Sequence, residues 1–325
     1  VANAIICELC PKGCAIQPGQ SGECRIRVNV DGQLIAVTYG HPCTVHIDPM
    51  EKKPMFHFLP GTAILSLATV GCNLHCKNCQ NWEISQGDPE TVPAHRLPPR
   101  DLPRIARENG CLSVAYTYTD PTVYYEYALD GCIAVREAGL RNVLVTAAYI
   151  NRPPWEKLCR FVDGAKIDLK SMSDQFYRDV CQATLKPVLD ACVVAKSLGV
   201  RVEPTNLVIP TLNDSDDDFR KLAKWIAENL GKDTPLHFSR FFPNYQMRNL
   251  PPTPAETLDR ARDIAQSEGL SFVYIGNVSR PNAENTFCPG CKKLLIERRG
   301  YTVLQNRLQN GRCPGCQTEI PGLWQ

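Results

Sequence analysis

The chain has 325 residues, 43% of them hydrophobic and 22% charged, a globular composition that excludes general disorder and is long enough for about two domains. Its 36 Lys plus Arg against 34 Asp plus Glu leave a net charge of only +2, which argues against a dedicated duplex-DNA or anionic-membrane binder. No apolar run approaches the ~20 residues that span a bilayer, and VANAIICELC lacks the basic start and long apolar stretch of a signal peptide, so a cytoplasmic location is expected.

Seventeen cysteines are the compositional anomaly. In a long chain with regular helix and strand signals, cysteines are more often metal ligands than disulfide partners. Residues 1–60 read as an N-terminal Cys-rich β module. Cys7, Cys10, Cys14 and Cys24 imply a metal there, with zinc the leading reading and an auxiliary [4Fe–4S] cluster the second; the spacing does not decide between them. RIRVNVDGQLIAVTYG reads as a hairpin turning at Asp31-Gly32. Lys52, Lys53 and His57 follow it and read first as surface charges.

Residues 61–280 alternate strand and helix signals. Strands are expected at 63–70, 112–118, 142–149, 165–169, 200–209, 235–242 and 271–277, from short runs rich in β-branched and aromatic residues. A helix is expected from Pro121 to Gly139. A second carries Phe219, Leu222, Ile226 and Leu230 on one stripe, Asp216–Asp218 in its first turn, and Gly231 as its stop. A third opens with a capping box at Thr253-Pro254-Ala255-Glu256 and ends at Gly269. This alternation means an α/β fold of parallel strands with right-handed crossovers. A full or partial βα barrel and a doubly wound sheet both satisfy the periodicity.

Cys72-xxx-Cys76-xx-Cys79 lies in the loop after the first of these strands, at the end where βα barrels place chemistry. Three thiolates at this spacing wrap one face of a cuboidal iron–sulfur cluster and leave one iron open for a non-protein ligand. The competing readings are zinc completed by His75 or a distant cysteine, and a purely structural cluster. Cys43, Cys111, Cys132, Cys159, Cys181 and Cys192 are scattered in apolar segments and read as small buried hydrophobes. Residues 281–325 repeat Cys-Pro-Gly-Cys, at Cys288/Cys291 and Cys313/Cys316, around another hairpin. That is the pattern of a structural zinc ribbon, with rubredoxin-like iron the alternative.

These motifs resemble the radical S-adenosylmethionine superfamily. LPGTAILSLATVGCNLHCKNCQNWEISQ looks like the branch related to pyruvate formate-lyase-activating enzyme, and within it the chain resembles the AmmeMemoRadiSam-system radical enzymes. The likeness extends through DPMEKKPMFHFLPG, TYTDPTVYYEY, KIDLK, LVIPTLNDS, HFSRFFPNYQM, YIGNV and both terminal cysteine modules. It implies a partial (β/α)6 TIM-like barrel in which a [4Fe–4S] cluster on Cys72, Cys76 and Cys79 reductively cleaves S-adenosylmethionine. The products are methionine and a 5′-deoxyadenosyl radical that abstracts a hydrogen atom from a protein or small-molecule substrate.

The resemblance also assigns residues. Asp120, in Thr117-Tyr118-Thr119-Asp120-Pro121, stands where the superfamily holds the methionine amino group, although Gly-Gly-Glu-Pro is the commoner loop; read alone, Asp120 caps the helix after Pro121. Thr119 belongs to the same loop. Asp168 and Lys170 reach the carboxylate and ribose region by resemblance, or form a plain ion pair. Thr146 closes its strand before Ala147-Ala148, where relatives have Asn-Gly. Asn78 replaces the usual aromatic residue before the third cysteine, so its backbone faces the adenine without stacking. Trp82 supplies a flat surface instead or belongs to the core. His237, Arg240, Asn206, Glu126 and Glu203 either touch cofactor or substrate or serve as structural hydrogen-bonding groups. A flavodoxin- or ferredoxin-type reductant and Memo-like and AMMECR-like protein partners are implied, with neither membrane nor nucleic acid. The alternative function is a non-catalytic zinc-ribbon protein binding RNA or protein.

Overall fold

The computed structural model describes residues 4–325; residues 1–3, the opening of the expected N-terminal module, lie outside the described residues. β1 (Ile5–Ile6) pairs antiparallel with β2 (Ala15–Ile16). β3 (Arg27–Val30) and β4 (Gln33–Ala36) form the expected hairpin. Asp31 and Gly32 turn it with φ of 49° and 83°, the left-handed pair that matches the twist of the flanking strands.

The central sheet comprises β5 (Thr44–Pro49), β6 (Ala63–Ala68), β7 (Ser113–Tyr116), β8 (Arg141–Thr146), β9 (Gly164–Asp168), β10 (Arg201–Val208), β11 (Leu236–Arg240) and β12 (Val273–Gly276). β5 is an antiparallel edge strand, and β6 to β12 pair in parallel. Strands such as β7 are buried along their whole length, as expected of a parallel sheet covered on both faces. The order in space is the order in sequence. A doubly wound sheet needs a reversal of strand order. Without one, successive right-handed crossovers all advance in the same direction and deposit their helices on one face. The sheet is therefore singly wound, the wall of a partial barrel with six crossovers, as the resemblance implied.

Those crossovers carry α1 (Leu102–Glu108), α2 (Tyr125–Glu137), α3 (Arg152–Cys159), α4 (Lys186–Ser197), α5 (Asp216–Asn229) and α6 (Ala255–Ser267). α5 matches its sequence signals: Ser215 and Asp218 form a reciprocal capping box, and Phe219, Leu222, Ala223 and Ile226 are buried. Two helix starts differ from expectation. α2 begins at Tyr125, not after Pro121, because the Asp120 carboxylate bonds the Thr122 amide and the end of β8 instead of capping a helix. α6 has no capping box, because the Thr253 hydroxyl accepts from the Phe241 amide and donates to the Val208 carbonyl, tying two strand ends together.

The inside of the sheet is filled at its base by the β5–β6 connection. Met50, Met55, Phe58 and Leu59 pack with Ile64, Ala115 and Val143. Above them the fully buried Glu203 carboxylate accepts from the Phe56 and His57 amides at 2.9 and 2.8 Å and from His237 Nε2 at 2.7 Å. β13 (Thr286–Phe287), β14 (Leu294–Arg299) and β15 (Thr302–Asn306) form an antiparallel sheet. It packs on β12 and Phe56 through Tyr274, Leu295, Ile296 and Ile320. Leu323 then pairs its backbone with His57 and Leu59.

Lys53 and His57 are thus not surface charges: each is 3% exposed. His57 Nδ1 lies 2.7 Å from the Pro321 carbonyl and its Nε2 2.7 Å from the Tyr274 hydroxyl, so the neutral ring donates at one nitrogen and accepts at the other. Burial lowers its pKa to about 4 from 6.5. The unfolded chain therefore takes up a proton first, and the stability present above pH 6.5 is lost as pH falls toward 4. Urea unfolding should show about 1.4 kcal/mol less stability at pH 5.5 than at pH 7.5 from this group alone. His57→Gln should flatten that dependence.

Candidate active site at the strand ends

A cavity of about 430 Å³ opens at the C-terminal ends of the parallel strands, within the size range of small-molecule sites. Cys72, Cys76 and Cys79 line one side of it. Asp120, Thr146, Asp168, Lys170 and His237 line it as well, together with Lys53, Lys166, Tyr118 and Thr205.

The cysteine loop has no regular structure, so its backbone groups find partners elsewhere. The amides of His75 and Lys77 donate to the carbonyls of Cys181 and Val180 at 3.0 and 2.9 Å, and the Lys77 carbonyl accepts from the Gln246 amide at 3.0 Å. Cys181 and Val180 lie in a π-helical turn, Tyr177–Cys181, a local distortion frequent at functional sites. At the other end the Gly71 amide donates to the Ile84 carbonyl. Gly71 has φ +97°, and a Cβ there would meet the Cys24 carbonyl oxygen at 2.6 Å. Both its conformation and its packing require glycine.

Burial pushes the Cys72 and Cys79 thiols up, whereas a hydrogen bond from Cys181 draws Cys76 down to about 7. Cys181 is thus more than a small buried hydrophobe. Its side chain touches a cavity cysteine across 105 positions of sequence, and no local pattern marks it. Ser85 Oγ lies 3.2 Å from Cys79 Sγ. His75 turns away, with Nδ1 2.8 Å from Gln86 Oε1, and does not join the three cysteines.

Asp120 is 3% exposed. Its carboxylate accepts from the Ala147 amide at 2.7 Å, the Thr146 hydroxyl at 3.0 Å and the Thr122 amide at 3.0 Å. Preceding it, Tyr118 has φ +62° and donates its hydroxyl to Asp48, while Thr119 Oγ1 donates to the Thr69 carbonyl at 2.8 Å. Asp168 sits between two ammonium groups, Lys166 and Lys170. Burial opposes its charge, but the two lysines outweigh it and hold the carboxyl at about 2. Burial likewise works against the Lys170 charge; Asp168 and then Cys76 overcome it and raise its pKa.

Other expected residues take supporting positions. Asn206 does not line the cavity: its Nδ2 donates to the Leu169 and Lys170 carbonyls at 2.9 and 3.1 Å, fixing the KIDLK turn. Arg240 points elsewhere, donating Nε to the Thr253 carbonyl at 2.8 Å with its guanidinium over Phe242. Glu126 pairs with Arg27. Trp82 stacks on Tyr245, with ring centroids 5.2 Å apart and planes 11° apart. Asn78 is 9% exposed and lines the cavity. Its Oδ1, like Thr205 Oγ1, is buried without a hydrogen-bond partner. Such orphans fit a polar ligand that completes them.

The C-terminal cysteines form a different kind of site. The sulfurs of Cys288, Cys291, Cys313 and Cys316 all lie within 4.8 Å of one another, with Cys288–Cys316 and Cys291–Cys313 at 3.5 and 3.6 Å. Ligand atoms this close suit a single metal ion.

Residues 66–226 match the Radical SAM superfamily. The chain is 46% identical over 320 residues to the uncharacterized protein MJ0808 of Methanocaldococcus jannaschii, covering 98% of this chain and 95% of that one. It is 26% identical over 162 residues to the pyruvate formate-lyase-activating enzyme of Clostridium pasteurianum, which is 48% of this chain and 66% of that enzyme. Among solved structures it is similar in fold to Streptococcus suis SuiB bound to S-adenosylmethionine (TM-score 0.53, 15% identity, 70% of this chain and 53% of that one). It is also similar to a radical SAM methyltransferase from Sphaerobacter thermophilus (TM-score 0.52, 17% identity, 67% of each chain).

Asp120→Ala should strand three donors in a buried site and cost roughly 2–4 kcal/mol. Calorimetry should show the lower Tm, and Asp120→Asn should lower it too, because both carboxylate oxygens accept from backbone amides and the new NH2 must face one of them.

Proposed function

Because the chain belongs to the radical S-adenosylmethionine superfamily, we propose that Cys72, Cys76 and Cys79 hold a [4Fe–4S] cluster through three of its irons and that the adjoining cavity takes S-adenosylmethionine. The observation that carries this reading is the convergence of three cysteines with Asp120, Asp168 and Lys170 on one cavity at the strand ends. Full cysteine ligation of such a cluster takes four thiolates, so three leave an iron free for the nucleotide's amino acid end.

Each side chain then has a role its chemistry supports. Asp120, anchored by three donors, presents a fixed negative charge for an ammonium group. Lys170, kept protonated by Asp168, offers a cation to a carboxylate. Asn78 and Thr205 bring the unpartnered oxygens to which ribose or adenine groups can donate. The Cys181 hydrogen bond to Cys76 adjusts the electron density on a ligand sulfur, a known lever on cluster potential. Bound together, the cluster and S-adenosylmethionine supply reductive carbon–sulfur cleavage and hydrogen-atom abstraction; the protein contributes orientation, potential and exclusion of water. One electron enters from outside the chain, from a donor of the flavodoxin or ferredoxin type.

Similarity to the activating enzyme supports a place in that branch. The four converging C-terminal sulfurs support zinc in a closed, structural site. A purely binding zinc-ribbon protein is not favoured, because it leaves the cavity cysteines and the buried acids around them without a purpose.

Anaerobically reconstituted protein, given dithionite and S-adenosylmethionine, should release methionine and 5′-deoxyadenosine. Cys72→Ala/Cys76→Ala/Cys79→Ala should release neither, and Asp120→Asn should raise the KM for S-adenosylmethionine about tenfold or more through loss of a charge-assisted contact. Wild-type protein that binds iron yet releases no 5′-deoxyadenosine would refute the reading. Metal analysis should find about one zinc per chain, absent from Cys288→Ser/Cys313→Ser.

A further inference from the structure

Beyond the cysteine loop, the cavity at the strand ends is also lined by Lys52, Lys53 and Phe56 of the β5–β6 connection, by Lys166 of β9 and by Tyr301 between β14 and β15. None of these has a part in holding the cluster or the nucleotide as proposed. Lys53 is the most closely held of them. Its Nζ donates to Asp48 at 2.6 Å and lies 4.4 Å from the centroid of the Tyr118 ring, a cation–π contact. Tyr118 donates its own hydroxyl to the same carboxylate. The φ of +62° at Tyr118 is one that a bulky residue adopts only when its surroundings impose it, and such residues cluster at functional sites. The loop before Asp120 thus holds an aromatic face against the Lys53 ammonium.

The charges at this wall do not balance. Asp48 also accepts from Lys52 Nζ at 2.8 Å, so two ammonium groups share one carboxylate. Lys166 and Lys170 likewise share Asp168. The other acids around the cavity have partners of their own. Glu51 pairs with Arg298, Glu284 accepts from the Gly300 amide, and Asp120 and Glu203 are held by the donors described above. Glu203 also stands opposite Lys166 in the β9–β10 register and offsets part of that charge. Among the described residues, Lys53 is ion-paired with the shared Asp48 alone. Burial lowers the Lys53 pKa, Asp48 opposes the shift, and the charges of Lys52 and Lys166 add to it. An ammonium carries three donors, so one ion pair does not saturate it, and an anion beside it would relieve the repulsion.

We propose that Lys53 and Lys166 form an anchoring site for the substrate and take a carboxylate group that it carries. Lys52 and Lys53 less Asp48 leave one surplus positive charge. That matches a single carboxylate and not a phosphate group, which brings about −1.5 to −2. The anchoring of a substrate rests on the proposed radical chemistry; carboxylate binding at Lys53 does not.

The test therefore measures binding alone. Full-length protein, reconstituted anaerobically, is titrated with 13C-acetate and with acetamide, its neutral counterpart, and binding is read from 13C line widths. Acetate should bind and acetamide should not. Lys53→Met should weaken acetate about tenfold or more through loss of a charge-assisted contact. Asp48 keeps Lys52 and Tyr118 as donors in that variant, so the fold should survive, as circular dichroism will check. Lys166→Met, in which Asp168 still has Lys170, is the second variant and should also weaken acetate. Lys170→Met should leave acetate bound, separating this site from the nucleotide's. Acetate affinity unchanged in either Lys53→Met or Lys166→Met, or lost only in Lys170→Met, overturns the proposal. Inorganic phosphate binding more tightly than acetate overturns the assignment to a carboxylate.

Discussion

Parallel strands that all stop at one edge leave the loops beyond them without ladder partners, and how those loops are satisfied decides what the edge can do. Here the loop after β6 is pinned from three sides. The N-terminal module presses on Gly71, the π-helical turn accepts from His75 and Lys77, and the segment after β11 donates to the Lys77 carbonyl. Held this way, Cys72, Cys76 and Cys79 do not meet within 4.8 Å of one another as the C-terminal cysteines do. They face a common cavity instead.

A second constraint works beneath that cavity. Glu203 is fully buried, and leaving such a carboxylate without partners would be costly. It is satisfied by two amides of the β5–β6 connection and by His237. The same connection receives the C-terminal tail through His57 and Leu59. Arg298 reaches into this region as well, bonding the Phe56 carbonyl and Thr286 and pairing with the buried Glu51. The floor of the active cavity and the seat of the C-terminal module are therefore one hydrogen-bonded unit. Damage to the C-terminal metal site should reach the cavity through it.

Much of this was legible in the chain itself. Strand positions follow from short β-branched runs, and α5 from its stripe and cap, because both signals are local. The three-cysteine loop stood out by spacing, as did the C-terminal knuckles. Signals that depend on competition mislead. Asp120 and Thr253 have good capping chemistry, but tertiary partners took their oxygens. Lys53 and His57 read as surface charges, since no pattern shows that Asp48 would pair with one and Pro321 and Tyr274 with the other. Asn206 and Arg240 sit beside the cavity in sequence, yet backbone carbonyls claim them.

The sequence by itself determined the strand–helix alternation, the cysteine groupings and hence the family chemistry, because each rests on neighbours a few positions apart. Tertiary structure decided the rest. It chose a singly wound sheet over a doubly wound one, brought Cys181 onto Cys76, and showed which cysteine groups converge and which surround a space. Those facts depend on distances between residues remote in sequence, which packing fixes and spacing along the chain does not encode.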